Sequence, residues 1–382
     1  MTLARALVAA LALALTSCSS PVEWEKQQLP TPPGAPGTSV VGDVVRCGDS
    51  WYAVGGVYLD EPTVDQDTRP AVWRSQDGEA WEALDSDADT YWGSRAILYT
   101  AACAGEQFSA MGSRSGGGHG FPRFSNFTVD SADHLVDEQP HLSVFGGLSW
   151  AGVGPLNGGA AGWLVVGNRE SGPAVWLSDD GMSFERLEGV PQLADDDGWD
   201  ALASGAVWTG AEWVVVGGAT HGTIEREPLA WTSPDGRDWT RVPIPGLDGF
   251  EDIQRVVRAP GGSSDDLLAV GLVGDGFGAW QRDADGWELV GTFGSLAEEP
   301  TGAPYVASLA STSAGLMATV SDGEHFELWR SDDGNEWEEL EFPVEAKTGG
   351  DRTIAVSESD GKRFVVVATD DNSGSVWTGA TE

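Results

Sequence analysis

The sequence predicts an all-β protein built from one repeated four-stranded unit, and three observations support that prediction. The 382 residues include 52 glycines and 18 tryptophans, a composition typical of short strands joined by tight turns. An aromatic motif recurs along the chain at a nearly constant spacing. No helical hydrophobic period is visible after the first 17 residues. With 41% hydrophobic residues, a chain of this length can bury a core.

The repeated motif reads W-x-S-x-D-G-x-x-W, with Phe184 once replacing the last Trp. Four good copies begin at Trp73, Trp176, Trp231 and Trp329. Degenerate copies begin at Phe127 and Trp280, and Trp377 begins a seventh unit. Successive units start 54, 49, 55, 49, 49 and 48 residues apart, and this period is typical of stacked or radially arranged units.

Each unit is predicted to contain four antiparallel strands. The first strand is rich in Val and Ile, as in residues 40–46, and the second is more apolar, as in residues 213–216. The third strand carries the first Trp of the motif. The fourth carries the second Trp and then alternating polar and apolar residues, which indicates an outer strand with one wet face. Seven such units predict a seven-bladed β-propeller.

The Asp-Gly pair of the motif is predicted to form the turn between the third and fourth strands. Gly tolerates positive φ, Asp accepts hydrogen bonds from amides of its own turn, and Ser caps the same loop. In these residues the chain resembles the Asp-box (BNR) repeats of the sialidase-like β-propeller superfamily, although no residue separates Asp from Gly here. The resemblance implies the propeller fold, with the Asp boxes on the face away from a catalytic site. Kelch propellers are a second resemblance, through the glycine pairs at residues 55–56 and 217–218.

The two ends of the chain predict circular closure of the propeller. The seventh unit lacks a fourth strand after Trp377, and residues 22–29, which include Trp24, are similar to the fourth strands of other units. We expect residues 22–29 to form the outer strand of the last blade, followed by a Pro-rich connection up to residue 37 and the propeller over residues 38–382. The alternative is that residues 19–37 are a flexible tether.

The first 17 residues are predicted to be a lipoprotein signal peptide. Arg5 precedes an apolar run over residues 6–15 that is too short to span a bilayer. Residues 15–18, Leu-Thr-Ser-Cys, resemble the bacterial lipobox. That resemblance implies that Cys18 is the lipidated N-terminus of the mature protein, which is then extracytoplasmic and anchored to the membrane by acyl chains. An ordinary secretory peptide with an incidental Cys is the alternative.

The formal charge of the chain is −39, from 60 acidic and 21 basic residues. Nucleic acids and anionic membrane surfaces require a basic patch on the protein, so this charge predicts no nucleic-acid partner. It favours solubility and cationic partners. Adaptation to high salt would account for the acidity equally well.

The cysteines after Cys18 are predicted to form a disulfide. Cys47 and Cys103 occupy corresponding positions, at the ends of the first strands of units one and two. Exported proteins favour oxidised cysteines, and the first strands of adjacent blades lie close to the propeller axis. Two buried free thiols are the alternative.

Candidate ligand-binding residues lie in the loops that join second to third strands or one blade to the next. By the propeller resemblance these loops share one face, called the long-loop face below, and loops on a rigid scaffold commonly bind ligands. The candidates are Tyr91, Trp92, Arg114, Arg169 and Arg226. The arginines fall in corresponding loops of three units and could clamp a carboxylate, as the arginine triad of sialidases does, while the aromatics could stack on a sugar. The alternatives to ligand binding are that the arginines only balance an acidic surface and that the aromatic residues pack against neighbouring loops.

Calcium is a candidate cofactor, and no other cofactor is predicted. Asp85, Asp87 and Asp89 alternate as in a calcium loop, although Thr90 and Ala96 stand where an EF-hand has Gly and Glu, and a solvated acidic loop is the alternative. The five histidines show no metal-type spacing, and the sequence contains no catalytic motif, so no catalytic residue is predicted. We therefore predict a binding or scaffolding module for a protein or glycan ligand; the alternative is a glycan-active hydrolase of the sialidase-like superfamily.

Overall fold

A computed structural model describes residues 22–382 except 117–119, 147–150, 197, 223–224, 248, 264, 313–314, 343, 345–346, 351, 358–362, 371–372 and 381–382. The described residues form seven antiparallel sheets, which confirms the predicted seven-bladed β-propeller. In blades 1 to 6 four successive strands run outward from the innermost position, and in blade 2 a short strand that precedes these four is added at the outer edge. The predicted lipidation residue, Cys18, lies outside the described residues, as does the predicted signal peptide.

The strands follow one another along the chain, blade by blade. The N-terminal strand is β1 (Glu23–Gln27), and blade 1 contains β2 (Gly37–Cys47), β3 (Ser50–Leu59), β4 (Thr68–Ser75) and β5 (Trp81–Ala83). Blade 2 contains β6 (Asp85–Ser86), β7 (Ile97–Ala104), β8 (Gln107–Gly116), β9 (Phe121–Val129) and β10 (His134–Glu138), with a 3₁₀ helix over Gly93–Arg95 before β7. Blade 3 contains β11 (Ala151–Gly159), β12 (Gly162–Arg169), β13 (Gly172–Ser178) and β14 (Glu185–Leu187).

The remaining four blades repeat this order. Blade 4 contains β15 (Asp200–Trp208), β16 (Trp213–Thr220), β17 (Arg226–Ser233) and β18 (Thr240–Pro243). Blade 5 contains β19 (Glu251–Arg258), β20 (Leu267–Val273), β21 (Gly276–Asp283) and β22 (Gly286–Phe293). Blade 6 contains β23 (Tyr305–Thr312), β24 (Gly315–Ser321), β25 (Phe326–Ser331) and β26 (Glu338–Leu340). Blade 7 contains β27 (Thr353–Ser357), β28 (Arg363–Asp370), β29 (Ser373–Ala380) and, as its outer strand, β1.

Strand β1 closes the ring, as the sequence predicts. It pairs antiparallel with β29, with Trp24 opposite Gly379. The indole Nε1 of Trp24 donates to the carbonyl oxygen of Glu341 at 2.9 Å, and the ring lies 5.4 Å from that of Phe342 in a T-shaped arrangement. Both partners follow the outer strand of blade 6, so the first strand of the chain also joins the last two blades.

The segment after β1 lies against blade 1. The side chains of β4 hold it by donating to its carbonyl oxygens: Trp73 Nε1 to Pro30 at 2.8 Å, and Arg69 Nη2 to Pro32 at 2.9 Å. Arg69 Nε also donates to the carbonyl of Ala35 at 3.0 Å. These hydrogen bonds exclude a free tether for this segment.

Blade 2 differs from the predicted four strands. Residues 85–95 were expected to form a loop, yet β6 pairs in parallel with β10, with Asp85 opposite His134. The reason is that β10 is the outer strand of its blade and presents unpaired backbone groups, which the connection from blade 1 covers. The sheet of blade 2 therefore has five strands.

The core consists of hydrophobic clusters that join neighbouring blades. One such cluster packs Leu164 and Val175 of blade 3 against Trp213 and Trp231 of blade 4. The first Trp of the motif is completely buried in four units, at Trp73, Trp176, Trp231 and Trp280. Burial of such large side chains between sheets is the main stabilising term for an arrangement of this kind.

The Asp-Gly turns have the predicted local geometry. In blade 1, Ser75 Oγ accepts from the amide of Gly78 at 2.9 Å, and Asp77 Oδ1 accepts from the amides of Glu79 and Ala80 at 2.9 and 2.8 Å. Gly78 has a φ of 76°, which favours glycine. The amide donors hold the pKa of Asp77 below its usual range. The same pair of hydrogen-bond types recurs at Asp180, Asp235 and Asp333.

Candidate functional site

A channel of about 1580 Å³ runs along the axis, where the first strands of the seven blades meet. The first strands of blades 1 to 6 each have a β-bulge. Side chains that follow the bulges hydrogen-bond to the next blade: Asp43 Oδ2 accepts from Ala101 N at 3.0 Å, and Ser308 Oγ accepts from Val356 N at 2.9 Å. These bonds satisfy polar groups near the axis and join adjacent blades.

Two half-buried charged side chains, Asp43 and Arg255, lie in this channel. Burial raises the pKa of Asp43 to about 6, although the amides of Ala101 and Val44 donate to its carboxylate and the charge of Arg255 also favours ionisation. The guanidinium of Arg255 donates to carbonyl oxygens of three blades, at Ser204 (3.3 Å), Gln254 (2.8 Å) and Ala307 (3.1 Å). Because these donors are already bound to carbonyls, we assign Arg255 to holding blades 4, 5 and 6 together.

Sequence reasoning missed Asp43 and Arg255. The available signal was a charged residue inside a Val-rich first strand, a segment that a propeller buries. Such a charge requires specific partners in the folded protein.

The three predicted arginines are each engaged by a different acidic residue. Arg114 forms an ion pair with Asp67 on the loop between β3 and β4. The buried Arg169 pairs through Nε with Glu188 Oε2 at 2.8 Å. These two pairs lie in different parts of the long-loop face.

Arg226 is engaged in the same way. Its Nη1 pairs with Asp252 Oδ2 at 2.9 Å, and its guanidinium lies 5.2 Å from the ring of Phe250. A carboxylate clamp formed by the three arginines would therefore require three existing ion pairs to open. The clamp stays a prediction, and the contacts favour a role in fastening loops.

Trp92 is positioned by side chains that follow β10. Its backbone amide donates to Gln139 Oε1 at 3.1 Å. The carboxylate of Asp137 accepts from the amide of Asp89 at 3.0 Å and from the hydroxyl of Thr90. These contacts hold the residues before the 3₁₀ helix and direct Trp92 towards blade 2.

Tyr91 is the exposed partner of this pair. Its ring lies 4.8 Å from that of Trp92 in a T-shaped arrangement, and the guanidinium of Arg95 lies 3.9 Å from the Tyr91 ring. The Tyr91 side chain is 54% exposed. Tyr91 and Trp92 thus form the edge of a larger apolar surface.

A small cleft lies between Trp92 and the segment after β10. We call it the aromatic cleft; its principal lining residues are Trp92, Pro122, Arg123, Pro140, Leu142 and Phe145. Its volume is about 90 Å³. Phe121 and Leu142, which flank it, are 54% and 42% exposed. This group of exposed apolar side chains makes the cleft the candidate binding site of the described surface.

Trp92 is a candidate ligand-binding residue predicted from the sequence, whereas the residues on the other side of the cleft were not predicted. The missed strand is β9, which begins Phe-Pro-Arg-Phe and places Arg123 directly opposite Arg114 of β8. The signal was an exposed aromatic-arginine run at the start of a third strand. Among the other third strands, β25 also begins with an aromatic residue, Phe326, but none begins with an aromatic-arginine run, so this run is a departure from the repeat.

The predicted calcium ligands point to other partners. Asp87 Oδ2 lies 2.7 Å from His134 Nδ1, and Asp85 lies in the strand pair between β6 and β10. Within the described ranges, no three His, Cys, Asp or Glu side chains are grouped so as to hold a metal ion. Calcium binding by Asp85, Asp87 and Asp89 stays a prediction.

Cys47 and Cys103 are joined by a disulfide, with their Cα atoms 5.4 Å apart. The bond connects the ends of β2 and β7, at the end of the channel opposite the long-loop face. In the part of the chain that is described, no helix is long and apolar enough to cross a membrane.

Comparison with known proteins shows the fold. No protein-family model and no curated protein matches the chain. Among solved structures, the β-propeller domain of the Trilobed protease from Pyrococcus furiosus is 12% identical, with a TM-score of 0.51, over 90% of this chain and 96% of that chain. The β-propeller domain of Myceliophteria thermophila Cps50 (Swd1) is 11% identical, with a TM-score of 0.50, over 93% of this chain and 100% of that chain.

A sialidase is also similar to the chain. Trypanosoma rangeli sialidase in complex with sialic acid is 11% identical, with a TM-score of 0.45, over 94% of this chain and 59% of that chain. The chain therefore spans less than two thirds of the length of that sialidase. At these identities the likeness is one of fold.

Proposed function

We propose that the protein is an extracytoplasmic binding or scaffolding module, anchored to the membrane through a lipidated Cys18, that recognises a protein or glycan ligand with its long-loop face. The observation that carries this proposal is the aromatic cleft. Three large apolar side chains are exposed around it, at Tyr91, Phe121 and Leu142. Exposing them to water is unfavourable, and a ligand that covers them would recover that free energy.

Charge supports the same surface. The chain carries 60 acidic residues, yet Arg95 and Arg123, for which no ion pair is seen among the described residues, lie on or beside the cleft. A locally basic surface on an acidic protein selects ligands by electrostatic complementarity. The partner would therefore present apolar groups together with negative charge.

The hydrolase alternative receives less support from the contacts near the long-loop face. A glycosidase needs two acidic groups, or a Tyr-Glu pair, converging on one sugar. Asp67, Glu188 and Asp252 are each bound by an arginine, and Asp43 accepts two backbone amides inside the channel. These side chains fasten the structure.

Site-specific photo-crosslinking in membranes tests the binding proposal. Benzoylphenylalanine introduced in place of Phe121 should crosslink a protein or glycan partner in cells that express the full chain. The matched control places the same probe at Val64, a fully exposed residue on the loop between β3 and β4. Equal crosslinking at both positions, or none at either, would contradict a site at the cleft. Turnover of fluorogenic methylumbelliferyl glycosides by the purified protein would favour the hydrolase.

A further inference from the structure

The aromatic cleft has the size of a site for one aliphatic side chain, and its lining is part apolar and part polar. Its volume of about 90 Å³ equals that of a few water molecules. The buried Phe145 and two prolines contribute to its walls, while Leu142 is exposed at its edge. A cleft of this size with aromatic and aliphatic walls can take one apolar group of matching size, and its polar lining can contact a polar or charged neighbour of that group.

Arg123 supplies an unmatched positive charge to this cleft. Its guanidinium lies 6.0 Å from the centre of the Trp92 ring. Among the described residues no carboxylate forms an ion pair with Arg123, whereas Arg114, directly opposite it, is paired with Asp67. A guanidinium with free donors next to an apolar cavity is suited to a carboxylate, which it can bind through two parallel hydrogen bonds.

A second guanidinium adds to the positive field. Arg95 lies over the exposed ring of Tyr91 and donates to the carbonyl oxygens of Tyr91 and Asp65. These acceptors are neutral groups, so the charge of Arg95 is not matched by them. The cleft is therefore flanked by positive charge on a chain of net charge −39.

A sugar fits the cleft less well than a peptide does. A pyranose ring carries several hydroxyls, and each must find a hydrogen-bond partner when it leaves water. Gln139 and His141 line the cleft, but Gln139 Oε1 already accepts from the Trp92 amide and His141 Nδ1 lies 2.8 Å from Ser143 Oγ, so one polar atom of each side chain is left for several sugar hydroxyls. An aliphatic side chain makes no such demand.

We propose that the aromatic cleft binds an extended peptide, with one aliphatic side chain inserted between Trp92 and Leu142 and a peptide carboxylate paired with Arg123. The inference rests on the proposed binding function and names its ligand class. The carboxylate comes either from the C-terminus of the peptide or from an Asp or Glu beside the aliphatic residue. Both sources present the same chemistry to the guanidinium.

Fluorescence anisotropy with labelled pentapeptides tests the proposal on the full-length protein in detergent. The probes are fluorescein-labelled Gly-Ser-Gly-Glu-Leu as a free acid and as a C-terminal amide, Gly-Ser-Gly-Gln-Leu in both forms, and the free acid with Ser in place of Leu. We expect saturable binding of the Glu-Leu free acid, and a loss of roughly tenfold or more when Leu becomes Ser. Binding retained by the Glu-Leu amide identifies the side chain as the carboxylate source. Binding retained by the Gln-Leu free acid identifies the terminus.

Arg123→Gln should weaken binding of the carboxylate peptides roughly tenfold or more, and Leu142→Ser should act in the same direction. The matched control is Arg258→Gln, which removes an exposed arginine at the far end of β19 and should leave binding unchanged. An unchanged melting temperature verifies that each variant is folded.

Three results would overturn the peptide assignment. The first is the absence of saturable binding by every carboxylate peptide up to about 1 mM. The second is equal binding of these peptides by wild type and Arg123→Gln. The third is that the protein binds methyl glucuronide through Arg123 and does not bind the peptides, which would make a glycan the ligand of the cleft. Crosslinking at position 121 does not depend on the peptide assay. If a partner is crosslinked there but no peptide binds, the proposed binding function is retained and only the peptide ligand class is rejected.

Discussion

Reduction of the disulfide between Cys47 and Cys103 should destabilise the propeller measurably. The two cysteines are 56 positions apart, so the bond closes a loop that contains most of blade 1. In the chain-entropy description, a loop of this length restricts the unfolded chain by about 14 cal/mol/K, or about 4 kcal/mol at room temperature. Dividing this by the unfolding entropy of a chain of this length gives a fall in melting temperature of about 5 °C.

The assay is thermal and urea unfolding of the purified protein with and without a phosphine reductant. The Cys47→Ser/Cys103→Ser variant is the control, because the reductant should lower the stability of the wild type and leave the variant unchanged. Thiol titration of the unfolded, unreduced protein gives an independent reading. Two titratable thiols from Cys47 and Cys103, or a wild-type melting temperature that does not respond to the reductant, would refute the reasoning.

Three further predictions concern closure, burial and lipidation. Trp24→Ala should lower stability by about 2–3 kcal/mol, because it removes an aromatic pair and a hydrogen bond made by a half-buried side chain. Glu23→Ala, which changes an exposed side chain of the same strand, should have little effect. Equal melting temperatures for the two variants would contradict closure by β1. The pKa of Asp43 is about 6 in the folded protein against 3.8 in the unfolded chain, so wild-type stability is highest below pH 4 and falls by up to about 3 kcal/mol as the pH rises through 6. Asp43→Asn should therefore gain stability relative to wild type between pH 4 and pH 7, measured by urea titration. A stability difference that does not depend on pH would contradict this. Cys18→Ser should abolish acylation, and mass spectrometry of the wild-type N-terminus should show an acylated Cys18; a mature chain that begins elsewhere would exclude the lipoprotein interpretation.

The number of blades and the closing strand could be predicted from the sequence because both depend on local, repeated patterns. A strand signal and an Asp-Gly turn signal are contained within about ten residues, and the chain repeats them about every fifty. The unit that lacks a fourth strand and the isolated strand-like segment around Trp24 complement each other. A reader of the sequence can count these signals without knowing any distance in space.

The composition of the cleft and the pairing of the charges were decided by the tertiary structure. Trp92 lies in the connection between blades 1 and 2 and Arg123 lies in β9, and Asp85 pairs with a residue 49 positions further along the chain. Arg114 and Arg123 lie opposite each other on adjacent strands, yet one has a carboxylate partner and the other lies over an indole ring. Which loops meet depends on how adjacent blades pack, and that packing is a sum of many long-range contacts. The sequence by itself therefore determined the scaffold, whereas the position and charge of its candidate site followed only from the folded arrangement of the loops.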